Sequence, residues 1–246
     1  MKRILIVGAT SAISIACAKK WASEGSKFFL VGRNSERLDS VRLDLLSRGA
    51  DSVSNYIMDI NDIEAHEEMI EHGLIFLEQI DLFFNATGTL PNQYECSKNI
   101  KYLLKEFQGN ALSVIALIAL VANQLEKQKC GTIAIITSVA GDRGRPSNYI
   151  YGSAKAAVSI YCEGLRAQLF KNGVHLLDIK PGFIKTPMTK DLDFPEILIS
   201  TPDKAAICID KALKNNNNIV YVPGFWFYIM KVIKSIPTFI FKRLNL

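Results

Sequence analysis

The chain has 246 residues, 49% hydrophobic and 22% charged, which suits one large α/β domain with a sizeable core and excludes a disordered polypeptide. Its net charge is +5, but Lys231, Lys234, Lys242 and Arg243 fall in an acid-free stretch at 224–246. The near-neutral remainder excludes a broad nucleic-acid face.

Five scattered cysteines (Cys17, Cys96, Cys130, Cys162 and Cys208) have neither metal-ligand nor redox spacing and read as buried thiols of a reducing compartment. His66, His72 and His175 lack partner spacing, so no metal site is expected. The apolar run after Met1-Lys2-Arg3 is too short for a signal-peptide core, which predicts a cytoplasmic chain.

Residues 3–7 predict a buried strand that ends in G-A-T-S-A-I and opens a helix over 12–23, closed by Gly25. A strand, a small-residue turn and a helix N-terminus can cradle a dinucleotide pyrophosphate, because the backbone approaches closely and amide N–H groups face the anion. Gly8 holds the first glycine position of that pattern, whereas Ala12 and Ser14 occupy the other small positions. Thr10 and Ser11 add hydroxyls, and Ile13 completes the turn.

The next strand, 27–31, ends at Gly32, Arg33 and Asn34. A carboxylate there would accept from a ribose 2′-hydroxyl, whereas an arginine pairs with a 2′-phosphate. With Arg33 and no acid at 32–34, the sequence favours NADP(H) over NAD(H).

A helix over 36–48, a strand over 53–58, Asp59-Ile60 beside the adenine, a helix over 61–76 and a strand over 80–84 follow. The last runs into Asn85-Ala86-Thr87-Gly88. This βα alternation predicts a Rossmann-like, doubly wound parallel sheet of about seven strands, one domain with helices on both faces.

A long helix over 99–127 has a twelve-residue centre that is apolar all round, too short to span a bilayer and best buried against a second copy of the chain. A homodimer or homotetramer is therefore expected. Asn110, at its polar entrance, either bends the helix or joins a relay.

The strand at 132–137 delivers Ser138, and a helix over 151–171 opens at Tyr151. Lys155 lies four residues on, so the phenol and the ammonium share one helix face, and the ammonium is expected to lower the phenol pKa. A sixth strand reaches Pro181-Gly182, Ile184 and Thr186, and a flap over 188–201 covers the crevice. A helix over 202–214 and a strand over 219–222 close the domain, 1–222, leaving 223–246 as a tail rather than a second domain.

Taken in order, Gly8…Ala12…Ser14, Asn85 to Gly88, Asn110, Ser138, Tyr151…Lys155 and Pro181-Gly182…Thr186 resemble the short-chain dehydrogenase/reductase family over residues 3–222. The resemblance implies that Tyr151 protonates a carbonyl oxygen while Lys155 tunes it and holds the nicotinamide ribose. It also implies that Ser138 binds the substrate oxygen and that Asn110 links Lys155 to solvent. Asn85 would support sheet and cofactor, and Thr186 would touch the nicotinamide carboxamide or phosphate. Ala86 and Val7 depart from the family pattern.

The run at 141–155 and the G-A-T-S-A-I opening are further similar to the branch that reduces a decaprenyl-phosphate-linked keto-pentose. That implies a small-molecule or lipid-linked ketone substrate, with Arg143 and Arg145 suited to an anion. A general oxoacyl or lipid ketone reductase is the enzymatic alternative, and a non-catalytic dinucleotide sensor is the other. The tail interleaves aromatic, aliphatic and basic residues around Pro237. It suits either peripheral contact with the inner membrane face or a helix that covers the cleft or a partner.

Overall fold

The computed structural model describes residues 2–189 and 195–244. Strand β1 (Arg3–Val7) leads into α1 (Ala12–Ala22), β2 (Lys27–Gly32) into α2 (Ser35–Ser47), and β3 (Ser52–Ile57) into α3 (Ala65–Leu77). Strand β4 (Leu82–Asn85) is followed by three helices, α4 (Gln93–Lys98), α5 (Ile100–Phe107) and α6 (Ser113–Gln128). Then come β5 (Thr132–Ile136), α7 (Tyr149–Phe170) and β6 (His175–Pro181), and a small ladder of β7 (Phe183–Ile184) with β8 (Ile199–Ser200). The chain continues through α8 (Pro202–Lys214), β9 (Ile219–Val222), α9 (Trp226–Ser235) and α10 (Thr238–Phe241).

Because β1, β4 and β5 are nearly continuous apolar runs, they are stable only when covered on both faces and paired on both edges. The sheet meets that demand with seven parallel strands in the order β3-β2-β1-β4-β5-β6-β9. Helices α1, α2 and α8 cover one face around Trp21, Phe28 and Phe84. Helices α3, α6 and α7 cover the other around Phe83, Leu117 and Val158. The single-domain, doubly wound architecture expected from the βα alternation is therefore the observed one. All strand C-terminal ends open on the same side, with the order reversing between β1 and β4.

Several boundaries differ from the sequence reading for local reasons. Helix α3 begins at Ala65 rather than 61, because the Asp59 carboxylate accepts from Asn61 N (3.0 Å) and turns the chain first. Strand β4 begins at Leu82, since Asp81 is engaged by Arg3 through its backbone (2.8 Å) and guanidinium (3.0 and 3.1 Å). Helix α4 has no counterpart in the predicted elements.

The long helix expected over 99–127 is a continuous stretch, Ile100–Gln128, of 29 residues, which by length and composition only is enough to cross a membrane, where the twelve-residue apolar centre alone was read as too short. Its inner side, with Val114, Leu117, Ile118, Val121 and Leu125, is packed in the core beneath α3 and α7. Midway it widens into a π turn, Gln108–Leu112, with Asn110 at its centre. Of the predicted flap, residues 190–194 lie outside the described residues. The cysteine reading also needs correction: Cys17, Cys96 and Cys162 are buried, but Cys130 is exposed and Cys208 half-buried.

Candidate active site

The β1–α1 turn is built around Gly8. Its φ is +79°, and a Cβ there would stand 2.9 Å from the Ala86 carbonyl and the Thr87 nitrogen, so only glycine permits this approach to the end of β4. Ser11 caps α1, its hydroxyl accepting from Ser14 N (3.2 Å), and Ser14 is fully buried. Ala12 and Ser14, where glycines were expected, are thus absorbed without closing the turn. The first residues of α1, Ala12 and Ile13, line a cavity of about 640 Å³ along the strand ends.

The cavity is lined by Gly8, Thr10, Ser11, Ala12 and Ile13 at one end. Arg33, Asp59 and Ile60 line it beside β2 and β3, and Ala86 and Thr87 line it after β4. Ser138, Tyr151 and Lys155 line its inner end together with Pro181, Gly182, Ile184 and Thr186. Three predicted residues are not in the lining. Asn34 is committed to capping α2, its Oδ1 accepting from Arg37 N (2.8 Å). Asn85 accepts from Thr87 Oγ1 (3.0 Å), while its buried Nδ2 has no partner among the described residues. Asn110 stands one layer back. A larger depression, about 1030 Å³, lies at the opposite sheet end around Thr132 and His175, away from the strand C-termini where such folds bind ligands.

Lys155 is 3% exposed, and its ammonium donates to the carbonyls of Thr87 and Ile136, both at 3.3 Å. Burial pushes it down to about 8, against the opposing pull of Asp178. Burial pushes the Tyr151 phenol up to about 12, against a hydrogen bond with Ser138. The expected lowering of the phenol by Lys155 is therefore not what the geometry delivers. The ammonium is 5.8 Å from the ring centroid and is held by two backbone carbonyls instead. A phenol that keeps its proton at neutral pH is suited to donate it, not to abstract one.

Asn110 sits at the bend of the long helix, in the π turn. Its side chain donates to Glu106 O and Thr89 Oγ1 and accepts from Thr89 N, all at 3.0 Å, within the π turn. A Cβ on Gly88 would stand 3.0 Å from both Asn110 Oδ1 and Lys155 Nζ, so the two groups flank the same glycine.

Sequence reasoning missed Arg37, which lines the cavity and donates to Thr10 O at 3.1 Å. The signal was present, since Arg37 lies four residues after Arg33, but a helix cap separates them in the chain. It also missed Asn61, which accepts from Ser113 Oγ (3.1 Å) and braces the π turn. The proposed anion-binding pair needs correction. Arg143 donates to Ile233 O (2.9 Å) and Lys234 O (2.8 Å) and stacks 4.0 Å over Phe241, so it caps the C-terminus of α9. Arg145 is buried beneath the same helix with Nη2 on Met230 Sδ (3.3 Å). Neither lines the cavity.

The sequence model of the short chain dehydrogenase family matches residues 2–196. An uncharacterised oxidoreductase of Streptomyces coelicolor is 29% identical over 245 residues, covering 99% of this chain and 96% of its own. Among solved structures, a short chain dehydrogenase/reductase family protein superposes with a TM-score of 0.77 at 21% identity, covering 90% of this chain and 97% of that one. An NAD⁺-bound xylitol dehydrogenase gives 0.68 at 24% identity, covering 74% and 70%. At these identities the two structures speak for the fold alone.

Proposed function

The chain belongs to the short-chain dehydrogenase family, a nicotinamide-nucleotide-dependent oxidoreductase, and from that premise we propose that it reduces a ketone with NADPH at the Ser138–Tyr151–Lys155 centre. The observation that carries this reading is the convergence of a proton-holding phenol, a buried ammonium and a strand-end hydroxyl on one cavity with the Gly8 turn. The cavity fits a dinucleotide. Gly8 leaves room that a side chain would fill, and Thr10, Ser11, Ala12 and Ile13 at the start of α1 line the same cavity. A bound nicotinamide would supply the hydride. Ser138 would hold the carbonyl oxygen, Tyr151 would give it a proton, and Lys155 would hold the ribose hydroxyls. Arg33 and Arg37, both on the β2 side of the cavity with no acid at 32–34, favour a 2′-phosphate and hence NADP(H).

The substrate we favour is a keto-sugar on a polyprenyl phosphate. Gly182 lines the cavity, and Trp226 packs on its other side, where a Cβ on Gly182 would stand 2.0 Å from Trp226 Nε1. Helix α9 packs Trp226 and Met230 against Val139 and Phe183, while Phe227, Tyr228 and Val232 are exposed on a helix that also carries Lys231 and Lys234. That outer face suits an anionic membrane surface at the cytoplasmic side. Flotation with anionic vesicles is expected for the full chain and is expected to be lost in Lys231→Gln/Lys234→Gln/Lys242→Gln. A chain that stays in the soluble fraction overturns the membrane reading.

The family reading includes a homo-oligomer, for which Ile100, Leu104, Leu112 and Ile160 supply exposed apolar surface on α5, the π turn and α7. NADPH oxidation measured against a panel of free, phosphorylated and lipid-linked ketones tests the whole proposal. Turnover is expected to be highest with lipid-linked keto-sugars, and no turnover with any ketone counts against the reductase reading.

A further inference from the structure

Behind the site, on the sheet side of α7, lies a carboxylate that no step above uses. Asp178 is in β6, opposite Ile135 of β5, and is 1% exposed. Its Oδ1 accepts from Thr137 Oγ1 and its Oδ2 from Ser159 Oγ, both at 2.5 Å. Thr137 immediately precedes Ser138, and Ser159 lies one helical turn beyond Lys155. One carboxylate thus ties the strand end that presents Ser138 to the helix that presents Tyr151 and Lys155. Lys180 Nζ, 3.7 Å from Asp178, is anchored on Asp142 at 2.6 Å, which also accepts from Tyr221 OH at 2.6 Å. A buried carboxylate is costly unless its oxygens are bonded, and apolar residues would hold strand to helix with no such cost.

We propose that Asp178 is a positioning residue of the active site. It holds the end of β5 and α7 in the register that brings Ser138 to Tyr151, and it supplies the negative charge facing Lys155 from the sheet. The proposal rests on the reductase reading above. The titratable and charged neighbours that bear on Lys155 are few among the described residues. Tyr151 and Cys162 share its helix, and Asp178 lies on β6, bonded to Ser159 one turn along that helix, with Lys180 and Asp142 beside it. On the α5 side Glu106 is engaged by Thr89 Oγ1. Of these, Asp178 is the group that opposes the burial of the ammonium.

The test is Asp178→Asn in the full chain, with Lys155 followed by NMR of labelled lysine and assigned through Lys155→Arg. Removing the charge is expected to move the Lys155 midpoint down by about one pH unit, a tenfold loss of proton affinity. The alkaline limb of ketone reduction should move down with it. A midpoint that stays in place overturns the electrostatic role, because loss of packing alone would slow turnover without moving it. Should the variant fail to fold, Thr137→Val/Ser159→Ala keeps the charge and cuts both ties. Turnover is then expected to fall by about tenfold with NADPH affinity retained, and unchanged turnover overturns the positioning role. The lysine titration needs neither cofactor nor ketone, so its failure bears on Asp178 alone. A wild-type chain that neither binds NADPH nor turns over any ketone bears on the reductase reading instead.

Discussion

Replacing Tyr151 by Phe is expected to slow ketone reduction by about 10²–10⁴-fold, the usual weight of a positioned proton donor, while NADPH affinity changes little. The ring stays in place and fills the same partly exposed space, so only the hydroxyl and its bond with Ser138 are lost. The pH dependence follows from the two shifted groups. Reduction needs the phenol protonated and Lys155 charged. The phenol keeps its proton to about 12 and Lys155 keeps its charge only to about 8. Turnover in the reductive direction should therefore be flat below about 8 and fall above it as Lys155 loses its proton. The reverse oxidation needs a deprotonated phenol to accept the proton, a form that becomes available only as pH rises towards about 12. Stopped-flow NADPH oxidation in both enzymes checks this. A Tyr151→Phe enzyme with more than about a tenth of normal turnover would remove Tyr151 from the proton-donor role.

Removing both guanidiniums beside β2, Arg33→Ala/Arg37→Ala, should weaken NADPH by about 10²–10³-fold, given roughly 1.5–3 kcal/mol for each charged hydrogen bond and less than full additivity. NADH should change by less than about threefold, since it has no 2′-phosphate for them to meet. Both are exposed, but Arg33 lies 3.6 Å from Asp59, whereas Arg37 is braced on the Thr10 carbonyl. Arg37→Ala alone should therefore loosen the turn slightly and cost both dinucleotides a little. Fluorescence titration with the two cofactors separates the roles. Equal losses for NADPH and NADH would mean that the arginines shape the turn and do not read the phosphate.

Much of the framework was legible because it depends on neighbours in the chain. Alternation of short apolar runs with amphipathic stretches specifies parallel strands and their helices, and Gly8 marks a turn position where a Cβ has no room. The four-residue step from Tyr151 to Lys155 puts both on one helix face whatever surrounds them. Other features depend on residues far apart in sequence. Arg143 looked free to meet a substrate until α9, some ninety residues on, placed its last carbonyls against it. The phenol was expected to be acidic from its distance along the helix to Lys155. Burial, which only the packed molecule decides, moves it the other way.

What the amino-acid order determined by itself is the sheet, the glycine turn and the phenol–ammonium step, because sterics and periodicity act over a few residues. Tertiary structure alone decided which polar groups lose water and which distant partner each one finds. That is how Asp178 came to lie between Thr137 and Ser159, how Arg37 came to rest on Thr10, and how Trp226 came to close over Gly182. Solvation and through-space pairing are properties of the folded whole, and no local pattern encodes them.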